Sequence, residues 1–262
     1  MTHALIAAKS GWGKSYLAQW WIEDNLKDYP VVVVLDRRDE FRGLVKSGFC
    51  QWGIIGPNEV NAPASAWQDV FEENGRMVLA RHKIHGEDWM NAVASIIQAA
   101  LSLEEDVLVC IDEAHKVAPQ SGNYPEPLET LATEGRGRCA SLWITQRLAK
   151  LDETPIGEMM VYLLGGFQSD ADLRKVGRNV GYPQDVHKVG ASRVAGLPED
   201  LHAPDEGAVP VRKFTDENGS TVGSEWVYSD DSGRHRRINS GDLEMESTHH
   251  GPESLSLSVP GK

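Results

Sequence analysis

Residues 8–15 read Ala-Lys-Ser-Gly-Trp-Gly-Lys-Ser. They match the phosphate-loop pattern GxxxxGK[ST] at Gly13, Lys14 and Ser15, with Ala8 in place of the first glycine. In such a loop backbone N–H groups wrap a phosphate, the lysine reaches the β- and γ-phosphates, and the hydroxyl ligates magnesium. The pattern assigns Ser10, Gly11, Trp12, Gly13, Lys14, Ser15 and Tyr16 to a nucleotide site, and Ser15 also to the metal. Gly11 and Gly13 let the backbone approach closely and adopt conformations closed to other residues. A helix from Ser15 adds the positive end of its dipole. A small residue at position 8 is sterically mild. An incidental glycine-rich turn is the alternative, but an apolar run before the loop and helical spacing after it favour a phosphate site.

Residues 107–115 read Val-Leu-Val-Cys-Ile-Asp-Glu-Ala-His. An apolar strand ending in two carboxylates suits a triphosphate site: Asp112 would hold magnesium through water, and Glu113 would polarise the attacking water. A strand ending in a solvated acidic turn would look the same, so the phosphate loop upstream decides between them. His115 reads as a packing or hydrogen-bonding residue rather than a catalytic one. A later strand, 141–145, ends at Gln146, which can sense the γ-phosphate and orient water. Ahead of it lie Arg136 and Arg138. Arg136 is the preferred arginine finger, supplied to a neighbouring subunit, and solvated helix-end charges are the alternative.

These residues need a scaffold that brings strand ends together. Short apolar runs at 4–8, 31–35, 77–80, 107–111, 141–145 and 159–164 predict strands. The run 31–35, four valines and a leucine, suits a strand covered on both faces. Residues 15–27, with Leu17, Trp20, Trp21 and Leu26 inward, and residues 89–103 predict helices. Alternating strands and helices imply βαβ units and an α/β fold with a mostly parallel sheet flanked by helices. Ligands bind beyond the carboxyl ends of such strands, and the polar residues singled out above are all expected to fall at such ends. Residues 53–66 and 118–127 read as surface loops. Residues 208–214 and 222–228 predict a hairpin across Asn218-Gly219. Residues 229–262 hold few apolar side chains and are expected to remain a disordered tail. The expected organisation is an ATPase-type domain over 1–206, a hairpin extension over 207–228 and the tail over 229–262.

The 262 residues carry 40% hydrophobic and 25% charged residues, a globular balance. The net charge of −13 argues against a broad basic surface, though not against local basic loops. Cys50, Cys110 and Cys139 are scattered, with no CxxC pair, so a zinc site or disulfide framework is not expected and a reducing interior is. No signal peptide and no apolar run of spanning length is read, and the chain is not expected to be transmembrane.

The segments AAKSGWGKS, VVVVLDRRDEF, VLVCIDEAH and EGRGRCASLWITQR together resemble the FtsK/HerA superfamily of P-loop DNA-translocating ATPases. Members carry an aspartate-rich second strand followed by an aromatic, here Asp36 to Phe41, and a Ser-x-x-Asp helix start, here Ser169 to Asp172. The resemblance covers about residues 3–200 and implies a RecA-like ATPase using ATP and Mg2+. It further implies a homo-oligomeric, hexameric ring that threads double-stranded DNA. Lacking the barrel, membrane segment and winged helix of larger members, the chain is most similar to the genome-packaging ATPases of internal-membrane icosahedral viruses. The implied partners are then capsid-vertex or membrane proteins of a virion, and the location is the host cytoplasm or the virion. The acidic composition fits a virus of a halophilic archaeon. Only pore-facing loops of a ring need basic charge, and Arg174, Lys175, Arg178, Lys188 and Arg193 are the candidates. A plasmid or chromosomal motor, a P-loop kinase, or a nucleotide switch governing assembly are the competing readings. The absence of arginine from 118–127 disfavours the kinase.

Overall fold

The structure, a computed structural model, describes residues 2–258; the side chains of Arg136 and Pro252 are outside the described set. Seven strands form the core of the sheet: β1 His3–Ala7, β2 Val31–Asp36, β3 Gln51–Ile55, β4 Arg76–Arg81, β5 Val107–Ile111, β6 Cys139–Thr145 and β7 Val161–Leu164. All pairings among them are parallel. Three more strands follow: β8 Lys213–Thr215, β9 Thr221–Asp230 and β10 His235–Asn239. The spatial order is β10-β9-β7-β1-β6-β5-β2-β4-β3, with β8 pairing on β9 outside that path.

The helices are α1 Lys14–Asn25, α2 Arg42–Lys46, α3 Ala64–Asn74, α4 Gly86–Ser102, α5 Glu126–Thr133, α6 Glu153–Gly157 and α7 Asp170–Asn179. Side chains alternate across each strand, so the sheet feeds two cores. Leu5, Val33, Leu35, Val109 and Trp143 pack with α3, α4, α5 and α7. Ile6, Val32, Val34, Cys110 and Leu142 pack on the other face with α1, α2 and Trp226. Burial on both faces explains why β2 and β5 read as unbroken apolar runs.

The fold is the expected α/β sheet, with four local differences. Residues 51–55, half inside the segment read as a surface loop, form the edge strand β3; its glycine and exposed residues hide the strand pattern. Trp20 and Trp21 are only half-buried, and the inward face of α1 is Leu17, Ala18, Gln19 and Ile22. The hairpin is present, but its second arm, β9, runs on into the main sheet antiparallel to β7. The segment expected as a tail contributes β10 and then packs across α1 and α2. Ile238 and Leu243 pack at the margin of the second core, but most of the segment's anchoring is polar. Gln19 Nε2 donates to Ser247 Oγ at 2.7 Å, Ser247 N–H to Glu23 Oε2 at 3.0 Å, and Arg42 Nη1 to the Leu257 carbonyl at 2.6 Å. Counting apolar residues could not register this, because the segment orders by completing hydrogen bonds of buried polar groups.

Candidate nucleotide site

The phosphate loop leaves β1 at Ala7 and enters α1 at Lys14. Gly11 and Gly13 have φ of 70° and 89°, the left-handed region that side chains disfavour. Trp12, between them, is 3% exposed and lies against Gly165 and Gly166, where a Cβ would collide with its indole. Its Nε1 donates to the Glu225 carbonyl at 3.1 Å, and its own carbonyl accepts from Ser224 Oγ at 2.7 Å. Trp12, expected at the nucleotide, therefore has its side chain turned into the core; only its backbone faces the loop. The loop conformation is set by this anchor.

Lys14 Nζ donates to the Lys9 carbonyl at 3.0 Å. Burial pushes its ammonium down to about 8, against the pull of Glu113 and Asp112. A bound phosphate would pull the value back up. Ser10, Gly11, Gly13, Lys14, Ser15 and Tyr16 line a cleft of about 880 Å³ together with Asp112 and Glu113. Groups about a hundred residues apart thus share one cavity large enough for a nucleotide.

Asp112 and Glu113 sit at the carboxyl end of β5, beside the end of β2, where Asp112 N–H donates to the Leu35 carbonyl at 3.1 Å. Asp112 Oδ2 is buried with no hydrogen-bond partner. Desolvation, then the neighbouring Asp36 and Glu113 carboxylates, raise the Asp112 pKa well above the usual range. A buried, orphaned carboxylate oxygen crowded by like charge is an environment that favours a cation. With the Ser15 hydroxyl on the same cleft, the donor set fits magnesium. Among the described residues no cluster of three or more His, Cys, Asp or Glu is disposed to hold a metal. A hydroxyl-plus-carboxylate site takes its remaining oxygens from phosphates and water, so it would not form such a cluster.

Glu113 is 4% exposed and has φ of 52°, a costly conformation for a residue with a side chain. Its Oε1 accepts from Gln146 Nε2 at 2.9 Å, which brings the end of β6 to the end of β5. Arg38 Nε lies 2.8 Å from the same oxygen. His115 Nδ1 is 2.9 Å from Thr145 Oγ1, and burial holds its ring down to about 4, so it packs neutral beside Glu113.

Asp36 is fully buried and accepts the backbone N–H groups of Glu40 at 3.1 Å and Phe41 at 2.9 Å. Burial nevertheless lifts its carboxyl to about 7. The aspartate-rich segment is therefore a turn clamp that presents Arg38 and Glu40 to the cleft. Sequence reading singled out neither residue. It also missed Gly223, Gly241 and His249, which line the same cleft from the C-terminal segment. His249 Nε2 is 3.4 Å from Ser15 Oγ, and Tyr16 donates its hydroxyl to the Leu243 carbonyl at 3.0 Å. No short-range pattern could reveal these, because β9 and β10 carry them back across the sheet.

The finger candidates lie elsewhere. Arg136 and Arg138 precede β6, whereas Gln146 follows it. Seven residues of strand separate the two ends by about 23 Å. Neither arginine can serve this chain's own cleft, and a role for either requires a neighbouring copy. Arg138 Nη1 donates to the Leu103 carbonyl at the end of α4, at 3.2 Å; the Arg136 side chain lies outside the described residues. Of the basic candidates for nucleic acid, Lys175 is buried and bonded to Gln120 and the Leu151 carbonyl, and Arg178 pairs with Glu153 at 3.3 Å. Arg174, Lys188 and Arg193 are exposed. Ser169 does cap α7, accepting the Asp172 N–H at 3.4 Å. No helix among the described residues is long and apolar enough to cross a membrane.

No protein-family model and no curated sequence matches the chain. Solved structures do. The genome packaging NTPase B204 from Sulfolobus turreted icosahedral virus 2, bound to AMPPCP, superposes with a TM-score of 0.58 at 12% identity, over 90% of this chain and 96% of that one. VirB4 of Thermoanaerobacter pseudethanolicus gives 0.58 at 11% identity, over 93% and 89%. The bacterial conjugative coupling protein TrwB gives 0.54 at 13% identity, over 96% and 88%. Likeness at these identities establishes architecture: the chain has the mostly parallel, helix-flanked sheet of the RecA-like P-loop NTPase fold.

Proposed function

We propose that this chain hydrolyses ATP and uses the energy to move double-stranded DNA, as a homo-oligomeric ring that packages a viral genome. One observation carries the ATPase reading: Lys14, Ser15, Asp112 and Glu113 line one cleft, with Gln146 bonded to Glu113. Ser15 and Asp112 would hold Mg2+, which when bound neutralises phosphate charge and draws the triphosphate into register. Lys14 would grip the β- and γ-phosphates. Glu113 would take the proton of the attacking water, and Gln146 would fix the Glu113 carboxylate. Arg136 of a neighbouring copy would meet the transition-state charge.

The DNA half of the proposal rests on the fold, whose relatives include a viral packaging NTPase and a conjugative coupling protein. Exposed Arg174, Lys188 and Arg193 give an otherwise acidic chain local cations for DNA phosphates. A plasmid or chromosomal motor would share all of these features; finding capsid genes beside the coding sequence would favour the viral role. The decisive measurement is ATP turnover with and without double-stranded DNA, alongside the mass of the assembly. Stimulation by DNA, weakening with salt, supports a motor. Turnover indifferent to DNA returns the chain to a nucleotide switch or kinase.

A further inference from the structure

The Arg38–Glu113 pair has no part in the roles assigned above. Arg38 follows β2 in the turn that Asp36 clamps through the Glu40 and Phe41 N–H groups. Its Nε lies 2.8 Å from Glu113 Oε1, its side chain is 45% exposed, and it lines the cleft with Lys14. Glu113, by contrast, is buried and held in a left-handed backbone conformation. Gln146 and Arg38 crowd the same carboxylate oxygen, whereas Oε2 accepts no hydrogen bond. The pair thus joins a fixed carboxylate to a cation that can swing.

We propose that Arg38 is a γ-phosphate sensor of this chain, which exchanges its ion pair with Glu113 for the terminal phosphate of a bound triphosphate. The proposal rests on the P-loop reading above. A terminal phosphate carries more charge than one carboxylate and offers a guanidinium paired oxygens, so it is the stronger partner. A diphosphate places no phosphate at the γ position, and Arg38 then stays on Glu113. The exchange leaves Gln146 holding Oε1 and frees Glu113 of the guanidinium when a cleavable phosphate is present. Arg38 is distinct from a finger supplied by another copy, because it reaches the cleft from its own chain.

The test is titration calorimetry of ADP and AMPPCP, each with magnesium, on the full chain. The readout is the ratio of the two affinities. Arg38→Ala is expected to lose about tenfold of the preference for AMPPCP, the worth of one charge-assisted hydrogen bond, with ADP affinity little changed. Arg38→Lys, which keeps the charge, is expected to restore part of that preference and controls for damage to the fold. Equal losses for both nucleotides, or no change in the ratio, would overturn the proposal, since a merely structural arginine cannot distinguish them. A wild-type chain that binds neither nucleotide overturns the P-loop reading itself, and so fails differently from a sensor that does not sense.

Discussion

Trp12, in the middle of the phosphate loop, donates its indole N–H to the carbonyl of Glu225, a residue 213 positions away on β9, at 3.1 Å. The loop that should grip a nucleotide is thereby fastened to the antiparallel extension of the sheet. Trp12→Ala removes a buried aromatic and that hydrogen bond together. It is expected to cost about 3–5 kcal/mol of stability and to loosen the loop. Denaturant unfolding measures the first effect and nucleotide titration the second. A full-affinity, fully stable Trp12→Ala protein would show the anchor to be incidental.

Lys14 separates phosphate binding from everything else in the cleft. Lys14→Ala is expected to weaken triphosphate binding at least tenfold and leave turnover undetectable. The thermal midpoint should hold or rise slightly, because a partly buried cation is removed. Binding and unfolding measured on one preparation distinguish this from misfolding.

Glu113→Gln keeps the shape of the side chain and removes the base. Triphosphate binding is expected to persist while turnover drops by about 10²–10⁴-fold, the usual worth of general base catalysis. Retention of wild-type turnover would remove Glu113 from the water-activating role.

The acid limb of stability should carry a histidine signature. Burial, partly offset by the Gly165 carbonyl, holds His187 down to about 4, against an ordinary value of 6.5. The unfolded chain takes the proton first as pH falls, so this stability is whole above 6.5 and lost between 6.5 and about 4. The displacement is worth roughly 3 kcal/mol. Asp36, lifted by burial to about 7, works in the opposite sense: its contribution is whole below 3.8 and lost as pH rises towards 7. Thermal midpoints from pH 4 to 7 should rise less steeply in His187→Gln and more steeply in Asp36→Asn than in the wild type.

The C-terminal segment offers a last test. Deleting residues 243–262 removes the bonds to Gln19, Glu23 and Arg42. At about 1 kcal/mol per buried hydrogen bond, the loss should be a few kcal/mol. An unchanged unfolding midpoint would mean that the segment does not pack on α1 in solution.

What the sequence determined by itself was local. An apolar run, a glycine turn and Lys14-Ser15 announce a phosphate loop because the backbone geometry they need is made within eight residues. Likewise β2 and β5 are legible because double-sided burial selects unbroken β-branched and aliphatic runs. The Trp12 indole's surroundings were not legible, because it packs against Gly165, Gly166 and the Glu225 carbonyl, all far from it in sequence. Residues 229–262 read as a disordered tail because they hold few apolar side chains; the partners of its last part, Gln19, Glu23 and Arg42, lie on α1 and α2, over two hundred residues back. Arg38 gained its meaning only when β2 and β5 were laid side by side, placing it 2.8 Å from Glu113. Pattern reports what a residue does to its own stretch of backbone; which distant charge or carbonyl it meets is settled by strand order, and strand order belongs to the folded chain.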